Sequence, residues 1–135
     1  MSDDTKRGHC LCGDVSYEYS GPENWRAHCH CESCRRQTAS PFTTFFGVPR
    51  KNVRYTGTAP AIYQSSPGVR RSFCARCGTP IAYETDSLPH EIHFYAAGLE
   101  HPKDFEPQFH VFYAEHMPCA ETTDDLPRHP GTSRT

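Results

Sequence analysis

At 135 residues, with 14 Lys and Arg against 16 Asp and Glu, the chain is sized for one domain and carries a formal net charge of −2. Without a basic excess there is no sign of a phosphate-binding surface, so nucleic acid is not an expected partner. Hydrophobic residues make up 36% of the chain beside 12 Pro and 9 Gly, a turn-rich composition, and no stretch approaches the roughly 18 apolar residues that span a bilayer.

Residues 1–7 carry charges with no apolar run behind them, so they do not read as a secretory signal, and the expected location is cytoplasmic. Short strand-like segments then follow one another. Val15, Tyr17 and Tyr19 alternate with polar residues. Phe42 to Val48 is aromatic and β-branched and stops at Pro49. Val53 to Tyr55, Ala61 to Gln64, Val69 to Phe73, Ile81 to Glu84, Ile92 to Ala96 and Phe109 to Tyr113 complete the set. Each is bounded by turn-forming residues, the pattern of a mostly β domain. Glu32 to Thr38 is the best helical segment, long enough for about two turns. The chain reads as one domain over residues 1–135. Its polar, proline-containing tail after about Pro118 is expected to be loose or draped over the surface.

Eight cysteines dominate the chemistry. In a secreted domain they would suggest four disulfides; in a reducing compartment clustered thiols read as metal ligands. Cys10 and Cys12 form a C-x-C, Cys29, Cys31 and Cys34 a C-x-C-x-x-C, and Cys74 and Cys77 a C-x-x-C followed by Gly78. On an extended strand, residues i and i+2 face the same side, so a C-x-C aims two thiolates at one ion. A C-x-x-C does the same across a tight turn, where the following glycine relieves strain. Zinc takes four soft ligands in a tetrahedron. Cys10, Cys12, Cys74 and Cys77 are the natural set for a closed, structural zinc, because the middle group already has three thiolates of its own.

Cys29, Cys31 and Cys34 supply three ligands and leave a fourth position for water or substrate, the mark of a catalytic zinc. The alternative is a closed site with a histidine as fourth ligand. His28 and His30 fall on the opposite face of an extended segment, and His93, His110 and His116 are more distant candidates. Occupancy of this second zinc is expected to be partial. Arg35 and Arg36 follow directly. They either offset the net negative charge of a three-thiolate zinc and hold the carboxylates of an anionic substrate, or are solvated surface residues. Cys119, standing alone, is expected to be a small packed side chain.

The segments Gly8-His9-Cys10-Leu11-Cys12-Gly13, His28-Cys29-His30-Cys31-Glu32-Ser33-Cys34-Arg35-Arg36 and Phe73-Cys74-Ala75-Arg76-Cys77-Gly78-Thr79-Pro80 occur in the order found in a known family. With the stretch from His110 through Asp125-Leu126-Pro127, they make the chain resemble the glutathione-dependent formaldehyde-activating enzyme and centromere protein V family. The resemblance implies a mostly β, Mss4-like (β-tent) fold, a structural zinc on Cys10, Cys12, Cys74 and Cys77, and a second zinc on Cys29, Cys31 and Cys34. It implies a carbon–sulfur lyase of the S-(hydroxymethyl)glutathione synthase type, with glutathione or a glutathione adduct as partner. Ala39 departs from the family's usual Gly, and Cys119 from its frequent Trp. The competing expectation is a non-catalytic, zinc-stabilised protein-binding module. An aromatic pocket beside Cys31, built from Phe42, Phe45 or Phe46, would favour the enzyme.

Overall fold

A computed structural model of the chain describes residues 5–134. Among these residues ten strands run in the order β1 (Lys6–His9), β2 (Ser16–Tyr19), β3 (Trp25–Cys29), β4 (Thr43–Pro49), β5 (Val53–Tyr55), β6 (Ala61–Ser66), β7 (Val69–Phe73), β8 (Pro80–Thr85), β9 (Glu91–Tyr95) and β10 (Phe109–Val111), with one α-helix, α1 (Glu32–Thr38), between β3 and β4. The chain is mostly β, as its alternating segments and turn residues imply. The strands form a three-stranded sheet, β1-β2-β5, and a seven-stranded sheet, β10-β3-β4-β9-β8-β7-β6. All pairings are antiparallel except β10 with β3.

Period-2 alternation places the core. Tyr17 and Tyr19 of β2 are buried while Ser16 and Glu18 are less so. The Tyr17 ring stacks on Phe94 of β9 with centroids 3.9 Å apart, and Tyr19 packs on Phe46 of β4. These contacts join the small sheet to the large one through a core that also holds Val15, Val48, Ile81 and Ile92. Burying such side chains gains about 1.5–3 kcal/mol each. A second cluster, with Ala27, Phe45, Tyr95 and Val111, packs around Cys29 and Cys34.

Two strands are absent from the sequence expectations. β1 reads Lys-Arg-Gly-His and turns only Gly8 inward, so it offers no apolar alternation. β3 does alternate, with Ala27 and Cys29 buried, but its cysteine reads first as a ligand. The expected strand to Tyr113 stops at Val111 because Phe112 takes a left-handed backbone, φ 54° and ψ 38°. Beyond it the carboxyl segment is held to β10. The His110 N–H donates to Pro127 O at 2.8 Å, His129 N–H to His110 O at 3.0 Å, and Phe112 N–H to Gly131 O at 2.7 Å.

Ala39 closes α1 in the left-handed region, φ 54° and ψ 42°, while Ser40 N–H donates to Arg35 O at 3.2 Å. That geometry suits glycine, and a Cβ there is strained by about 1–2 kcal/mol. Ala39→Gly is therefore expected to raise stability by about 1 kcal/mol, after the entropy that glycine adds to the unfolded chain. Chemical denaturation of the two proteins measures it; an unchanged or lower midpoint would show that the cap carries no strain.

Candidate metal centres

The first thiol cluster sits where the two sheets meet. Cys10 follows β1 of the small sheet, and Cys74 follows β7 of the large one. Cys10, Cys12, Cys74 and Cys77 bring their four sulfurs within 4.8 Å of one another. Cys10 Sγ lies 3.7 Å from Cys12 Sγ, which lies 3.8 Å from Cys74 Sγ. Both hooks are turns. Gly13 N–H donates to Cys10 O and Gly78 N–H to Cys74 O, and both glycines adopt positive φ, 83° and 82°. The expected extended geometry for Cys10 and Cys12 is thus corrected: a tight turn converges the two thiols, because β1 ends at His9.

Backbone amides are aimed at these sulfurs. Val15 N–H donates to Cys10 Sγ at 3.3 Å, and Arg76 and Cys77 N–H donate to Cys74 Sγ at 3.3 and 3.4 Å. The Thr79 hydroxyl and N–H, with a backbone bond from Cys12, bring the Cys77 thiol down to about 5. Such donors favour thiolates, the form a metal takes. Four soft thiols in a closed, N–H-lined cradle fit a tetrahedral zinc.

The second cluster is built by β3 and α1. Cys29 ends β3, Cys31 is the extended N-cap of α1 (φ −65°, ψ 149°), and Cys34 is the helix's buried residue. Cys34 N–H donates to Cys31 Sγ at 3.3 Å, so one sulfur both caps the helix and joins the metal set. Here the extended C-x-C is realised. The group whose ligand atoms all lie within 4.8 Å of one another holds these three thiols and, among the described residues, no fourth ligand.

Hydrogen bonds from Cys29 and Cys31 pull the Cys34 thiol down to about 3, against burial, with the Arg71 charge adding to the effect. Sharing those bonds, and burial, push Cys29 far up. Cys34 is the thiol that faces a charged partner. Arg71 of β7 meets it: Nη1 donates to Cys34 Sγ at 3.7 Å, and the guanidinium lies over the Tyr83 ring, 4.9 Å from its centroid. Arg71 is 5% exposed, so this is a buried cation placed against a thiolate. No spacing rule in the sequence points to it.

Arg35 and Arg36 do border one surface depression, with Ala39, Ser40, Pro41 and Met117. Arg35 Nε donates to His30 O at 3.2 Å, whereas exposed Arg36 pairs with Glu32 one turn away at 2.8 Å. Of the three aromatics that would favour the enzyme by lining a pocket beside Cys31, Phe45 packs in the Cys29 and Cys34 cluster, and Phe42 packs on the rings of His28 and His30. Phe46 lies in the main core instead, because β4 alternates and carries it to the opposite face. Cys119 is exposed on a single turn of 3-10 helix, Pro118–Ala120, outside both thiol groups, so it is not the packed side chain expected.

The histidines considered as fourth ligands stand elsewhere. His93 hydrogen-bonds Glu91 at 2.9 Å, and His116 bonds Glu121 at 3.0 Å and stacks on Tyr113. His28 and His30 alternate with Cys29 and Cys31 and face the other way, toward His110. His30 Nε2 lies 2.8 Å from His110 Nδ1, and His110 Nε2 lies 3.0 Å from Asp124 Oδ1. Burial holds His28 below the ordinary imidazole range and His30 at about 4, each helped by the neighbouring imidazoles.

A family profile described as glutathione-dependent formaldehyde-activating enzyme matches residues 5–115. An uncharacterised lyase of Schizosaccharomyces pombe is 33% identical over 87 residues, a stretch that spans 63% of this chain and 63% of that relative. A solved structure of a Rhodobacter sphaeroides protein superposes with a TM-score of 0.62 at 22% identity, over 90% of this chain and 98% of that one, a likeness of fold alone. Because the matched stretch contains all three cysteine groups in order, the chain belongs to the glutathione-dependent formaldehyde-activating enzyme family.

Proposed function

We propose that the protein is a zinc-dependent carbon–sulfur lyase acting on glutathione adducts, of the S-(hydroxymethyl)glutathione synthase type, with its chemistry at Cys29, Cys31 and Cys34. The observation that carries this reading is the three-thiol group with no fourth ligand among the described residues, set against a buried arginine. Its donor set suits zinc with one position left over, and a zinc held there supplies Lewis acidity that favours the thiolate of an arriving substrate.

The chain's own residues supply charge and position. Arg71 offsets the negative charge of three thiolates and is held in place by the Tyr83 ring. Arg35 is anchored through Nε to the His30 carbonyl, inside the segment that carries the ligands. Its terminal nitrogens suit a glutathione carboxylate bound in the adjoining depression. Arg36 adds a second positive charge to the same rim. Holding the tripeptide there turns addition to a small aldehyde into a positioned encounter. The glutathione sulfur bonds to the aldehyde carbon, the carbonyl π pair moves to oxygen, and the proton given up by the thiol ends on the new hydroxyl. The reverse step splits the carbon–sulfur bond and returns thiol and aldehyde.

Calorimetric titration of the zinc-loaded protein with glutathione tests the reading. Glutathione is expected to bind, more tightly as pH rises and its thiol ionises, and its S-methyl analogue more weakly because a thioether is a poorer ligand. Arg35→Ala is expected to cost about 1.5–3 kcal/mol of binding, the worth of a hydrogen bond to a charged group. Equal binding of glutathione and the thioether, or none of either, would remove glutathione as a ligand of this centre.

A further inference from the structure

The alternation His28-Cys29-His30-Cys31 places two rows of ligand-type side chains on opposite faces of one segment. The cysteine row belongs to the centre described above. On the other face, His28 of β3 stands directly opposite His110 of β10 in the parallel pairing. Asp124 approaches from the carboxyl segment. The ligand atoms of His28, His110 and Asp124 all lie within 4.8 Å of one another. We propose that these three residues form a third metal site, for a borderline divalent cation such as zinc or ferrous iron, separate from both thiol centres.

Two histidines and one carboxylate are a recognised donor set for such ions, with positions left open. What distinguishes this group from a chance cluster is its outer shell. A histidine that binds a metal through one ring nitrogen is oriented by a hydrogen bond through the other. His28 Nδ1 lies 2.8 Å from Thr44 Oγ1 on the neighbouring strand β4, which leaves Nε2 as the ring nitrogen for a metal. His110 Nδ1 lies 2.8 Å from His30 Nε2, which leaves its own Nε2 on the Asp124 side. Both ligand rings are therefore held by the nitrogen that the metal does not need. The carboxylate is fixed as well: Leu126 N–H donates to Asp124 Oδ1 at 3.0 Å.

With the ion on its Nε2, His110 carries its proton on Nδ1 and donates it to His30 Nε2, 2.8 Å away. His110 is fully buried and Asp124 partly exposed, so the ion enters from the Asp124 side. Arg128 Nη1 stands 3.5 Å from Asp124 Oδ1 and opposes a cation there. This site consequently holds its ion more weakly than the four-thiol centre does.

The difference in donors provides the test. Untagged, zinc-loaded protein is dialysed against a weak chelator that spares thiolate-bound zinc, then titrated with Co²⁺. The expected result is one further equivalent bound, with visible d–d absorption and no thiolate-to-metal charge transfer. Asp124→Asn and His28→Gln, which keep hydrogen-bonding side chains of similar shape, are expected to lose that equivalent while near-ultraviolet circular dichroism stays unchanged. Thr44→Val is expected to weaken it about 10–100-fold, the usual cost of removing an outer-shell partner. No thiolate-free cobalt signal, or the same signal in Asp124→Asn and His28→Gln, would overturn the proposal and leave the cluster a hydrogen-bonded tie for the carboxyl segment. Glutathione does not enter the measurement, so its outcome is independent of the reading of the three-thiol centre.

Discussion

Cys74→Ser is expected to leave the chain unfolded, or molten, at neutral pH. Cys74 is 1% exposed, lies in the main core and accepts two backbone N–H groups. Its sulfur stands 3.8 Å from that of Cys12, 62 positions away in the chain, and the pair ties the small sheet to the large one. Structural zinc in small sites is worth about 10–16 kcal/mol of apparent binding free energy. The whole net stability of a domain is about 5–15 kcal/mol. Replacing one of the four thiolates of a zinc site of that strength removes a large share of a quantity comparable with everything that keeps a chain folded. Far-ultraviolet circular dichroism, cooperative melting and zinc content read the result together. A Cys74→Ser protein with near-native melting would mean that the Tyr17–Phe94 core holds the two sheets without the metal.

The second large effect has the opposite character. Cys31→Ser is expected to fold, to lose metal from the three-thiol centre, and to lose glutathione binding by more than about 100-fold, beyond what outer-shell changes cost. Folding survives for a local reason. Cys31 caps α1 by accepting the Cys34 N–H, and a serine hydroxyl is a strongly preferred N-cap acceptor. The surrounding cluster of Ala27, Phe45, Tyr95 and Val111 keeps its packing. The metal loses a soft ligand that serine does not replace at neutral pH. Melting near wild type combined with reduced zinc and absent glutathione heat is the expected signature. Unfolding as severe as that of Cys74→Ser would make the second centre structural. Unchanged glutathione binding would place the ligand elsewhere.

The sequence by itself determined what is local. Cysteine spacing grouped the thiols, since two thiols within a few residues have few ways to converge. Alternation located β2, runs bounded by turn-forming residues located β4 and β5 through β9, and the seven residues of α1 carry a first-turn acid, Glu32, directly after their cap, Cys31. The expected strand start at Phe42 and end at Ala96 differ from β4 and β9 by one residue each, where fraying edges leave little signal. Strand β1 escaped because a strand that buries only a glycine has no hydrophobic rhythm to read.

Only the tertiary structure decided which distant groups complete each centre. Arg71 reaches Cys34 across 37 positions, and His110 reaches His30 across 80. Strand order brings β10 beside β3 in parallel, so that His28 on one strand faces His110 on the other. Nothing in the residues near Arg71 or Asp124 distinguishes them from solvated surface charges. Their roles come from what the fold packs against them: a thiolate and an aromatic face for Arg71, and two imidazoles set by partners of their own for Asp124. Spacing encodes a ligand hook because its geometry closes within a turn or two of backbone. The charge and hydrogen bonds around that hook arrive from other strands, and the sheet order that delivers them depends on the sum of packing across the whole core.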